Sequence, residues 1–217
     1  MGGRLSVCSP PSWRTVLPWP LMVIDFEASS LDLDSYPIEA GIACWPAPDQ
    51  PVFGWSVLIR PAGEWTRQGH WSPVSAKVHG IRGSDLVASG HAPHQVAAAL
   101  NTILGPGGIA WCDGGDYDEH WTRVLFKAAS IRPTFTLGDW HRLAAIPGRE
   151  SRERALDWIG QVKARHRARD DAEQLLLALA HAVGAEVGPV QNLDQRVPVL
   201  AALVRPQDDG AQHGGAR

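Results

Sequence analysis

Apolar positions in this chain come first as continuous runs and later at helical intervals. Runs near 21–27, 38–45 and 53–60 are separated by turn-rich stretches, Ser29 to Pro37 and Pro46 to Pro51. They predict three strands on short connections, an antiparallel meander. The first run, Leu21-Met22-Val23-Ile24-Asp25-Phe26-Glu27, is apolar on both faces, the pattern of a central strand covered on each side. Beyond the meander, helical spacing appears at about 94–104, followed by a short strand at 108–112 and a helix near 117–130. A strand near 134–137 and helices near 139–146, 151–165 and 169–184 complete the pattern. Strands first, then alternating helix and strand, predict an α/β fold with a mixed five-stranded sheet flanked by helices.

Composition bounds this reading. A chain of 217 residues with 44% hydrophobic content holds one α/β domain. Residues 1–18 carry Pro10, Pro11 and Pro18 with little periodicity, and are expected to form a flexible tail ahead of a domain over 19–187. A C-terminal extension, 188–217, follows and is expected to be disordered from about 205, where no hydrophobic anchor remains. The net charge of −3 suits a protein that holds a chain end at a metal site better than one that grips long nucleic acid on a basic surface. Cys8, Cys44 and Cys112 are odd in number and widely spaced, which points to a reducing, cytoplasmic setting. No signal-peptide stretch and no membrane-length apolar run is present. Arg149 to Arg169 is locally basic, either a solvated helix face with i,i+4 pairs or a receiver of phosphates.

The candidate chemistry lies in acids placed where a core would reject charge. Period-2 alternation puts Val23, Asp25 and Glu27 on one face of the first strand. Two carboxylates there repel strongly unless a cation sits between them, which suits a hard, oxygen-liganded ion such as Mg²⁺ or Mn²⁺. In the segment from Tyr117 to Ser130, Asp118 continues the apolar stripe of Trp121 and Leu125, whereas Asp113 and Asp116 fall in a Gly-Gly turn suited to capping. Asp171 lies four and eight residues before Leu175 and Leu179 and faces inward, while Asp170 lines up with the more polar Glu173 and Gln174. His166 is expected on the loop just before that helix, where an imidazole could take the proton of an attacking water.

With a D-x-E strand, an inward Asp opening a helix, and H-x-A-x-x-D-A in that order, the sequence resembles the DEDDh 3′-to-5′ exonucleases, whose fold is ribonuclease H-like. The resemblance spans roughly 20–185, and His166, Ala168, Asp171 and Ala172 fill the defined positions of its last motif. Ala28-Ser29-Ser30-Leu31 stands where family members more often have Thr-Thr-Gly-Leu, and His79 lies in a stretch similar to the family's pre-helical loop. These five residues are the candidate substrate contacts, although His79, like Glu39 on the second strand, also reads as structural. Asp113 stands in place of a frequent Asn.

The resemblance implies two Mg²⁺ or Mn²⁺ ions: one on Asp25, Glu27 and Asp171, the other on Asp25 and Asp118, with His166 as general base. It further implies single-stranded DNA or RNA 3′ ends as partners and nucleoside 5′-monophosphates as products. A homodimer is compatible with the sequence but written in no motif. Two alternatives stay open: an oligoribonuclease-like enzyme restricted to very short RNA, and a catalytically weak nucleic-acid-binding module. Most of the ten Trp residues read as core, with room for one to stack on an exposed base.

Overall fold

The computed structural model describes residues 13–195. Its strands are β1 (Leu21–Ala28), β2 (Pro37–Trp45), β3 (Phe53–Leu58), β4 (Ile109–Cys112), β5 (Thr136–Asp139) and β6 (Gln191–Asn192). They form one sheet in the order β5-β4-β1-β2-β3-β6. β1, β2 and β3 are the antiparallel meander. β4 and β5 add in parallel on the far side of β1, as strands reached through helical crossovers do. The five expected strands are joined by a sixth. β6, only two residues long, pairs in parallel with Phe53 and Gly54 of β3, too short to leave a period in the sequence.

The helices are α1 (Trp13–Val16), α2 (Gly63–Gln68), α3 (Pro73–His79), α4 (Gly83–Ser89), α5 (Pro93–Leu104), α6 (Asp116–Ala129), α7 (Trp140–Ala145), α8 (Arg149–Gln161) and α9 (Ala168–Ala182). Alternation along β1 divides the core in two. Met22, Ile24 and Phe26 pack with Leu100 of α5 and with Trp121 and Leu125 of α6. Leu21 and Val23 pack with Trp140, Leu176 and Leu179 on the opposite face. β2 is buried at every position, so both faces of the sheet centre are covered.

The structure adds detail at three boundaries. Trp13 and Leu17 are buried, so the N-terminal segment is packed from Trp13 onward rather than free to residue 18; residues before Trp13 lie outside the described ones. Its aromatic ring lies 5.8 Å from that of Trp45, an apolar anchor that outweighs the prolines around it. The extension after 187 begins as structure, with β6 and the buried Leu193, and its part beyond Gln195 lies outside the described residues. α8 stops at Gln161, four residues short of the expected end, and leaves a loop that carries His166. Among the described residues no helix is long and apolar enough to cross a membrane.

Candidate metal centre

The carboxylates come from the ends of three elements. Asp25 and Glu27 lie on the last turn of the pleat of β1, on the face that carries Leu21 and Val23. Their cross-strand partners on β2 are Gly41 and Glu39. α9 crosses this face with its first turn directly over Gly41: a Cβ there would lie 2.1 Å from the Ala168 carbonyl carbon. The missing side chain lets a helix backbone touch a strand backbone, and one turn later Asp171 meets the two acids of β1. Carboxylate oxygens of Asp25, Glu27 and Asp171 all lie within 4.8 Å of one another.

Asp118 arrives from the other side of the sheet. β4 runs parallel to β1, and the turn after it starts α6 through Gly115, whose φ of 55° favours glycine. Asp118 sits in the first turn of α6, 1% exposed, and accepts a hydrogen bond from the Gly114 N–H at 3.0 Å. It does not join the compact trio, but its charge acts on Asp25 more strongly than that of any other acid.

Electrostatically the site is strained. Burial, and then the charges of Asp118, Glu27, Asp171 and Asp113, hold the Asp25 carboxyl well above the usual carboxylate range. Glu27 is pushed up to about 8, by burial first and then by Asp171 and Glu39, with Arg167 pulling the other way. Asp118 is pushed up to about 7 by burial and Asp113, against the pull of the Cys112 thiol and the Gly114 N–H. Asp171 is raised by burial, while the backbone N–H of Arg165 and the charge of His166 favour its ionised form. An all-carboxylate oxygen set, desolvated and self-repelling, is the donor chemistry a hard divalent cation takes, and a cation among these groups would reverse every one of the repulsions.

His166 is exposed on the loop between α8 and α9, with a left-handed backbone, φ 53°. Asp170 is not part of the cluster; its carboxylate lies 3.5 Å from the Arg165 guanidinium. Asp116 is exposed at the start of α6, and Asp113, an exposed residue of the preceding turn, contributes a fifth negative charge. Of the other candidates, Ala28 is buried and only Leu31, 65% exposed, is open to a ligand through its side chain. The Ser29 and Ser30 hydroxyls are buried and accept from the backbone N–H groups of Tyr36 and Asp32, so they hold the loop itself. His79 is buried and accepts from the Ile81 N–H through Nδ1, leaving Nε2 without a partner.

Two features here escaped the sequence. Asp113 read as a capping residue, and nothing in a Gly-Gly turn says which way its charge acts. Glu39, 1% exposed, is bound by Arg167 through Nε at 2.9 Å and Nη2 at 2.7 Å. An acid in the middle of an apolar strand was the available signal that a cation had to reach it. A second group of ligand-type side chains, Asp32, Asp34 and His70, is fully at the surface, with His70 Nδ1 2.5 Å from Asp32. A cleft of about 800 Å³ beside α6, lined by Thr122, Phe126 and Phe135, contains none of the trio.

No family model and no curated protein matches this chain. Its architecture does have counterparts among solved structures. Escherichia coli exonuclease I, solved with a dA16 oligonucleotide, superposes with a TM-score of 0.54 at 13% identity, over 84% of this chain and 42% of that one. The fold is ribonuclease H-like. Exonuclease I from Methylocaldum szegediense gives a TM-score of 0.49 at 16% identity, over 86% of this chain and 40% of that one. The chain therefore spans about two fifths of the length of these proteins.

Proposed function

We propose that the chain is a divalent-metal-dependent 3′-to-5′ exonuclease of the DEDDh type, acting on single-stranded DNA or RNA and releasing nucleoside 5′-monophosphates. The observation that carries this reading is the trio of Asp25, Glu27 and Asp171 oxygens within 4.8 Å, on a ribonuclease H-like fold. Asp25, Glu27 and Asp171 would hold one Mg²⁺ or Mn²⁺ and Asp25 with Asp118 a second. Bound there, such ions supply an activated water and charge stabilisation for the leaving 3′ oxygen.

The chain's own groups do the rest. His166, on the open loop beside Asp171, accepts the proton of the attacking water. Leu31 offers an apolar side chain at the end of β1, where a terminal nucleotide would rest. Most of the Arg149–Arg169 cations are held in pairs, among them Arg149 with Glu153 and Arg169 with Glu173, so they do not form a continuous basic track. That supports a grip confined to a chain end. The dA16 oligonucleotide bound to the E. coli neighbour agrees with a single-stranded substrate.

The deciding experiment is product analysis on end-labelled single-stranded DNA and RNA with Mg²⁺, Mn²⁺ or EDTA. Stepwise shortening from the 3′ end with 5′-monophosphate products, abolished by EDTA, is the expected result. Absence of cleavage with either metal, or shortening from the 5′ end, refutes the reading.

A further inference from the structure

Glu39 and Arg167 are 128 positions apart in sequence and form a two-pronged ion pair beneath the His166 loop. Glu39 is 1% exposed, and its carboxylate also accepts the Ala168 N–H at 3.2 Å, the first backbone donor of α9. One buried side chain of β2 thus binds both the residue before α9 and the helix itself. Two positions further along the same face of β2, the bare backbone of Gly41 receives Ala168. His166 precedes Arg167 directly, in a left-handed conformation that a non-glycine residue keeps only where its surroundings fix it.

We propose that Glu39 and Arg167 are positioning residues for His166: they clamp the start of α9 and the end of the loop, and so hold the imidazole toward the carboxylate trio. The inference rests on the exonuclease reading for its catalytic consequence and on the ion pair for its structural one. Arg167 turns its Nε and Nη2 to the Glu39 carboxylate, which has no other cation among the described residues, so that edge of the guanidinium is not available to a phosphate. The planar fork matters as well as the charge, since a lysine ammonium makes no two-pronged contact with a carboxylate.

The test uses the full chain with single-stranded DNA and Mg²⁺, comparing wild type, Arg167→Lys, and the neutral pair Glu39→Gln/Arg167→Met, which avoids stranding a buried charge. Arg167→Lys is expected to lower turnover about 10- to 100-fold while KM stays within about twofold. In a His166→Ala background the same substitution should cost nothing further, because both changes act on one step. Full turnover in Arg167→Lys, a raised KM in the neutral pair, or multiplying losses in the His166→Ala background each overturn the proposal. Amide hydrogen exchange provides a readout independent of activity. Exchange at Ala168 and along 162–167 should accelerate in Arg167→Lys and in the neutral pair, and unchanged protection also overturns the clamp. A wild type that shows no nuclease activity but loses this protection on substitution refutes the exonuclease reading alone.

Discussion

In the metal-free protein, Asp118→Asn should be stabilising at pH 8 and nearly silent at pH 4. Asp118 is 1% exposed, and its carboxyl is moved from an ordinary 3.8 to about 7, by burial first and then by Asp113. That displacement corresponds to roughly 4 kcal/mol at 1.36 kcal/mol per pH unit. The sign follows from which state holds the proton. Below pH 3.8 the carboxyl is protonated in both folded and unfolded chains and the site is at its most stable. Between about 4 and 7 the unfolded chain releases the proton while the folded one keeps it, so stability is lost as pH rises. Glu27, raised to about 8 from 4.5, extends the same loss upward. Because these acids share one field, their contributions overlap and do not sum.

An asparagine keeps the shape and the acceptor for the Gly114 N–H but never ionises. For a domain of this size about 1 kcal/mol moves the melting point by roughly 2–4 °C. Melting curves in EDTA should therefore place Asp118→Asn about 8–16 °C above wild type at pH 8, with the two converging near pH 4. Saturating Mg²⁺ should narrow or reverse the gap, since only the wild type gains the full set of ligands. A gap that does not change with pH, or a metal-free wild type that melts above the variant at pH 8, refutes the account of a self-repelling site.

Asp25→Ala and Asp171→Ala should each abolish hydrolysis while the fold survives, whereas Asp170→Ala should stay active; turnover at saturating Mg²⁺ decides, and an inactive Asp170→Ala would reverse the choice within that pair. His166→Ala should cost about 10² to 10⁴ in turnover with metal and oligonucleotide affinity retained. A variant that keeps the full rate would remove His166 from the mechanism. Gly41→Ala alters no acid, yet its Cβ must push the first turn of α9 off β2. It is expected to lower turnover about 10²-fold and weaken Mg²⁺ binding by calorimetry, while near-normal values of both would show that α9 is not seated through this contact.

What could be read in the sequence was local. The D-x-E pair points to one face because a strand has period two, and the structure puts Asp25 and Glu27 on the face of Val23. Asp171 could be separated from Asp170 by its spacing to Leu175 and Leu179, which are buried in α9. Asp118 followed from the stripe of Trp121 and Leu125, both buried in α6. The misses are of two kinds. α2, α3 and α4 have six or seven residues each, less than two full turns, so no apolar stripe repeats within them. The rest are contacts between distant positions: Glu39 with Arg167, Trp13 with Trp45, β6 with β3. Periodicity describes one element at a time and carries no term for them.

The same division explains how a fold can persist at 13% identity to a solved neighbour. The acids need only three chain ends brought to one place: the end of β1, the first turn of α6 and the first turn of α9. Two carboxylates at helix N-termini are favoured there by the exposed backbone N–H groups, which offsets part of their mutual repulsion. What places those ends is small: a missing side chain at Gly41, a left-handed glycine at Gly115, one half-buried ion pair. The Glu39–Arg167 pair acts beside the bare backbone of Gly41: the start of α9 over β2 is held both by side chains and by a close backbone approach, so losing either should loosen the helix that carries Asp171.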